Sequence, residues 1–203
     1  VSARVAGYEA LAGRIGAIAI GASAGGVEAL STVLPALRRG LNAPVFVVLH
    51  LPRERPSLLV DIFRHKCEFE VREAADKESV QAGTIYFAPP DYHLLVDRGP
   101  SLALSVDEPV HFSRPSIDVL LESAADAYGE RLLGVVLTGG NEDGAAGLAA
   151  VHAAGGYTVV QDPEEAQMPL MPESALKRTK PDYVLRLHEI AALLRALPEG
   201  GVR

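Results

Sequence analysis

Residues 15–37 read IGAIAIGASAGGVEALSTVLPAL. The first six, IGAIAI, are an apolar run of the length of a buried strand. Gly21-Ala22-Ser23-Ala24-Gly25-Gly26 follows, and Val27, Leu30, Val33, Leu34 and Leu37 then recur at helical spacing. Strand, glycine-rich turn and helix make one unit, and apolar runs and helical patterns go on alternating along the chain without an internal sequence repeat. Residues 45–49 (VFVVL) form a β-branched run after Pro44, and a helical stretch follows Pro56 with Leu58, Leu59, Ile62 and Phe63 on one face. Residues 69–72 and 84–88 read as short strands. Residues 92–96 and 102–106 flank Asp97-Arg98-Gly99-Pro100 as a hairpin. Residues 115–128 are the clearest helix, with Pro115 at the start and Gly129 past the end. Then come a strand over 132–137 (LLGVVL), a helix over 145–154 stopped by Gly155-Gly156, a strand over 157–161 and a terminal helix over 187–197. The Pro- and Glu-rich residues 162–172 read as a long loop. Continuous apolar strands alternating with helices predict an α/β fold, with a mainly parallel, doubly wound sheet covered on both faces and an antiparallel hairpin at an edge.

The chain has 203 residues, expected to form a single domain over 1–203 with its core at about 15–194. Hydrophobic residues make up 48% and charged residues 22%, enough apolar material to exclude disorder as the main state. One cysteine, Cys67, excludes a disulfide scaffold and, with no signal-peptide pattern in residues 1–14, predicts a cytoplasmic protein. No run reaches the roughly 18 apolar residues of a membrane span. The net charge of −7, with no basic face beyond Lys177, Arg178 and Lys180, argues against nucleic acid and membrane surfaces as partners.

Three loops carry candidate chemistry. Ser23 lies in a G-x-S-x-G turn between strand and helix, where a hydroxyl is presented beside a helix N-terminus. Gly21 and Gly26 equally match the outer glycines of a phosphate-cradling loop, and from the turn alone the two readings stand level. His50, at the end of the second strand, shares a sheet rim with Ser23 and supplies the base that an isolated hydroxyl needs. His93 and His111 compete with it for that role. Asp143, in Thr138-Gly139-Gly140-Asn141-Glu142-Asp143-Gly144 after another strand, is placed to orient an imidazole through Nδ1–H. On spacing alone the N-cap of its own helix is the preferred reading, a role that can coexist with the first, and Glu142 is the alternative acid. Arg114, beside the N-terminus of the clearest helix, is able to hold a substrate carboxylate or to make a surface pair. No metal-ligand spacing is present.

These pieces together resemble the catalytic domain of the CheB family, the chemotaxis protein-glutamate methylesterases. The stretches that carry the resemblance are IGASAGGVEAL, VVLHLP, GTIYFAPPDYHLLV, HFSRPSIDVLLESAA, LTGGNEDGAAGL and GGYTVVQDPEEAQMPLMPESAL, in that order. The resemblance implies a three-layer α/β/α sandwich and hydrolysis of glutamate γ-methyl esters on methyl-accepting chemotaxis receptors, with release of methanol and a related glutamine deamidation. It places the nucleophile on Ser23, the histidine on His50 and the aspartate on Asp143, with no cofactor and no metal. Backbone N–H groups near Ala24 and the Gly139-Gly140 turn are the expected oxyanion donors. The chain departs from the family pattern at Ala24, usually Thr, at Gly140-Asn141 in the G-M-G-x-D-G element, and at Leu170, usually Gly. Well-known members carry an N-terminal receiver domain, so the chain is expected to be an excised catalytic domain or a stand-alone relative.

Overall fold

The computed structural model describes Leu11 and residues 13–51, 57–99 and 101–197. The readings that involve residues 1–10, Pro52, Pro56 and Pro100 lie outside the described residues. Seven strands form one sheet: β1 (Ala17–Ala22), β2 (Val45–Leu49), β3 (Glu70–Glu73), β4 (Thr84–Phe87), β7 (Leu132–Val136), β8 (Tyr157–Gln161) and β9 (Tyr183–Leu185). Their order is β3-β4-β2-β1-β7-β8-β9, and every pairing is parallel. β5 (His93–Val96) and β6 (Leu102–Ser105) pair antiparallel in a second sheet.

The alternation of β1 sets the two faces. Ile18, Ile20 and Ala22 point into one layer, with α1 (Gly26–Val33), α2 (Leu59–Phe63) and α6 (Leu187–Ala196). Ala17 and Ala19 point into the other, with α3 (Ile117–Tyr128), α4 (Ala145–Ala153) and α5 (Leu170–Arg178). Small residues on the second face let α3 come close. A Cβ on Gly21 would run into the Ile117 side chain. The result is the expected three-layer α/β/α sandwich. Among the described residues no helix is long and apolar enough to cross a membrane.

Four details differ from the sequence reading. The hairpin does not extend an edge of the large sheet. It buries Leu94, Val96 and Leu102 in the layer of α3, and its own two strands satisfy each other. The helix expected over 27–37 ends at Val33 and tightens into a 3₁₀ turn, Leu34–Ala36, because Pro35 has no N–H to continue the ladder. The long loop expected over 162–172 ends at Pro169, where α5 begins. Pro172 falls in the first turn of α5, where its missing N–H costs nothing. β9, three residues long, is too short to show a period.

β1 leads leftward to β2, and the chain later returns to place β7 on the other side of β1. The order in which strands are added therefore reverses between β1 and β7, and a crevice opens at the C-terminal ends of those strands. Ser23, His50 and Thr138 all follow strand ends on that rim.

Candidate functional site

Backbone bonds stitch the three loops together. Ser23 N–H donates to the Thr138 carbonyl (2.9 Å), and His50 N–H donates to the Ala22 carbonyl (3.1 Å). The Thr138 hydroxyl donates to the Ala24 carbonyl (2.9 Å) and accepts from Met168 N–H (2.9 Å), while Thr138 N–H is held by the buried amide of Gln161 (2.8 Å). The serine turn is thus clamped to the loop after β7 and to the segment leading into α5. It also has to be bare. A Cβ on Gly25, whose φ is +78°, would meet Gln167, and one on Gly26 would run into Leu49.

His50 Nε2 lies 2.8 Å from Asp143 Oδ2, with the imidazole 12% exposed and the carboxylate wholly buried. The expected pair is therefore made, although the ring turns Nε2 to the acid and not Nδ1. Nδ1 faces the Ser113 hydroxyl at 3.4 Å. That hydroxyl and the carbonyl of His111 both receive the Asn141 amide (3.3 and 3.4 Å).

Asp143 does not cap its own helix. α4 is entered through Gly144, which has φ +95° and no side-chain cap. The Asp143 carboxylate instead accepts the first two N–H groups of α3, from Ile117 (2.7 Å) and Asp118 (2.9 Å), and the Ser116 hydroxyl (2.8 Å). Asp118 returns the arrangement: its Oδ1 accepts Gly144 N–H (2.9 Å) and Gly147 N–H (2.6 Å) at the start of α4. Each helix end is closed by the other helix's aspartate. The approach is possible because residues 144 and 147 are glycines; a Cβ would press on Ile117 or on the Asp118 backbone. Among the described residues no buried side-chain nitrogen or oxygen lacks a partner.

These bonds set the charges. Burial raises the Asp143 carboxyl, but the hydrogen bond from His50, then those from the Asp118 and Ile117 amides, outweigh it and hold the group below its ordinary value. Burial dominates at Asp118 and raises it, with the neighbouring Asp143 charge adding to the rise. The two carboxylates are pushed in opposite directions, and Asp143 is the one kept ionised beside the imidazole. Burial pushes the Cys67 thiol up to about 11, so it offers no thiolate.

The other candidates divide. His93 is buried, with Nδ1 accepting Ser116 N–H (3.1 Å) and Nε2 donating to the Glu108 carbonyl (3.2 Å), so it supports the entry to α3. His111 stands between Asp118 (3.4 Å) and Glu142 (3.3 Å). Arg114 forks onto Asp91 (3.0 and 2.9 Å) and onto the carbonyls of Val106 (2.7 Å) and Asp107 (3.0 Å). Its guanidinium fastens the loop before α3, the surface-pair alternative of the sequence reading. Gly139 N–H donates to the Met168 carbonyl (3.0 Å) and is spent. No described residue accepts the N–H of Ala24 or of Gly140. Ser113, Ser116, Asp118, Thr138 and Gln161 escaped the sequence reading; only Ser116 carried a local signal, as a serine one residue before the predicted apolar stripe.

The sequence profile of CheB methylesterase matches residues 18–194. A relative from Leptospira interrogans, whose name pairs protein-glutamate methylesterase with protein-glutamine glutaminase, is 44% identical over 92% of this chain and 96% of its own length. A protein-glutamate methylesterase/protein-glutamine glutaminase from Symbiobacterium thermophilum is 39% identical over 90% of this chain, which spans 51% of that longer protein. The crystal structure of the Thermotoga maritima CheB methylesterase catalytic domain superposes with a TM-score of 0.84 at 32% identity, covering 89% of this chain and 97% of that one. With a family profile over residues 18–194, a relative 44% identical over nearly its whole length and the same fold, the chain belongs to the CheB methylesterase family.

Proposed function

We propose that the chain is a serine hydrolase that removes methyl groups from glutamate γ-methyl esters of methyl-accepting chemotaxis receptors in the cytoplasm, and that Ser23, His50 and Asp143 carry the reaction. The His50–Asp143 contact of 2.8 Å is the observation that carries this reading: an Nε2–H donated to the acid leaves Nδ1 to serve as the base, although among the described residues Nδ1 meets the Ser113 hydroxyl and no hydrogen bond joins Ser23 Oγ to the ring. Ser23 Oγ attacks the ester carbonyl, and its proton passes to Nδ1. The N–H groups of Ala24 and Gly140 hold the oxyanion as the tetrahedral centre forms. His50 returns the proton to the methoxy oxygen, and methanol leaves. Water then adds to the acyl-serine with Nδ1 as base again, and glutamate and free Ser23 are restored. A glutamine side chain follows the same route with ammonia as the leaving group.

A protein substrate suits the mouth of the site. Phe112, 99% exposed, stands one residue from Ser113, and Met168 and Leu170 are exposed on the segment that faces the serine turn. Exposed apolar side chains at a site mouth are spent on a macromolecular surface more readily than on a small ester. Ser23→Ala is expected to lower methanol release from methylated receptor by about 10⁴-fold or more while leaving the fold intact. Retained turnover would overturn Ser23 as nucleophile, and unaltered receptor methylation beside hydrolysis of small esters would overturn the substrate.

A further inference from the structure

The basic residues Lys177 and Arg178 have no part in the chemistry above. They occupy the last turn of α5 and line an open cavity of about 540 Å³ together with His111, Glu142, Ser174 and the first residues of α4. Basic residues complement the negative end of a helix, which accounts for their sign. It does not account for their facing a cavity that His111 also faces. Lys177 reaches Glu173 only at 4.0 Å, and Arg178 makes no ion pair within 4 Å with a described residue, although its charge acts on Glu122. Glu142 is the one acid in the lining, 67% exposed and engaged with the His111 ring.

The cavity adjoins the candidate site through two of its lining residues, Glu142 and His111. Glu142 precedes Asp143 in the chain. The carbonyl of His111 accepts the Ser113 hydroxyl (3.3 Å), which lies against His50 Nδ1. A polypeptide whose ester lies at Ser23 and His50 and whose flank runs over Ser113 toward His111 would bring a neighbouring side chain to the cavity mouth. On a chain of net charge −7, a local basic recess selects for anions that the rest of the surface repels. The ester itself is small and uncharged, so the unmodified carboxylates around it are what distinguish one segment from another.

We propose that the Lys177–Arg178–His111 cavity is a subsite for a carboxylate side chain that flanks the methylated glutamate on the protein substrate. The proposal takes its substrate from the methylesterase reading, while the cavity's preference for carboxylate rests on Lys177 and Arg178, the His111 ring being held between Asp118 and Glu142.

The test uses the intact chain and peptides bearing one glutamate methyl ester flanked by glutamates, by glutamines or by lysines. The wild type is expected to favour the glutamate-flanked peptide in kcat/KM by about fivefold at low salt, the preference fading as salt rises. Lys177→Glu/Arg178→Glu is expected to reverse the order toward the lysine-flanked peptide, and the single change Arg178→Gln to flatten it if the double variant does not fold. Equal rates on all three peptides in the wild type, or a preference unmoved by these changes, overturns the subsite. Fluorescent glutamate- and glutamine-flanked peptides without ester, titrated onto Ser23→Ala protein, separate the two claims. Preferential binding of the acidic peptide with no methanol released by the wild type sinks the methylesterase reading and keeps the subsite, whereas turnover without that preference does the reverse.

Discussion

The two ends of the proposed catalytic row are built differently. At the acid end, Asp143 is buried, takes hydrogen bonds from two backbone amides, a hydroxyl and the imidazole, and shares its position with the reciprocal bonds of Asp118. At the nucleophile end, Ala24 is exposed, and no described residue accepts its N–H. Groups that only have to stay charged and still are paid for at folding. Groups that must meet a substrate are left unsatisfied until it arrives. Stability and activity should therefore separate along the row.

Asp143→Ala gives the largest combined effect. Activity is expected to fall about 10³- to 10⁴-fold, and stability by about 3 kcal/mol, because the Ile117 and Asp118 amides and the Ser116 hydroxyl lose a buried acceptor. Ser23→Ala should match that loss of methanol release yet move the urea midpoint by no more than about 0.5 kcal/mol equivalent. Equal destabilisation by both changes would erase the distinction. Gly144→Ala comes next: a φ of +95° and a Cβ 2.8 Å from Ile117 should cost about 2–3 kcal/mol in denaturant titration, with activity following the displaced Asp143. Ser116→Ala is milder. It removes one donor to Asp143 and the N-cap of α3, for an expected loss of about 1 kcal/mol and about tenfold in kcat with KM little changed.

The smallest effects lie in pH. Asp143 has a folded pKa below the unfolded value of 3.8, so the stability it lends is full above 3.8 and is lost as the pH falls through the folded value. Asp118 has a folded pKa above 3.8, so what it lends when protonated is full below 3.8 and is lost as the pH rises through the folded value. The stability difference between wild type and Asp143→Asn should thus grow on leaving acid. The difference between wild type and Asp118→Asn should shrink over the neighbouring, higher interval. Parallel trends in the two series would contradict the opposed environments.

Much of this is legible in the chain alone. Buried parallel strands announce themselves as unbroken apolar runs, so β1, β2 and β7 and the loops after them could be placed on one rim, and Ser23, His50 and Asp143 with them. The hydrogen-bond partners of Asp143 could not. An aspartate at the mouth of a helix reads locally as the cap of that helix, and only the close packing of α3 on α4 turns it toward Ile117 instead. For Arg114 the surface-pair alternative is the one the structure shows, but its partners, Asp91 and two carbonyls, are not encoded by any spacing. Thr138 and Gln161 are ordinary polar residues whose partners lie 23 or more positions away. α5 was hidden by Pro169 and Pro172, which look like loop punctuation unless the helix is known to begin between them.

The central claim is that Asp143 grips Nε2 of His50 and leaves Nδ1 to take the proton of Ser23. Nitrogen-15 correlation spectra of the His50 ring at neutral pH test it directly. The account predicts a proton on Nε2, shifted far downfield and lost in Asp143→Asn, with an unprotonated Nδ1. A proton found on Nδ1, or an imidazole signal indifferent to Asp143, would contradict it.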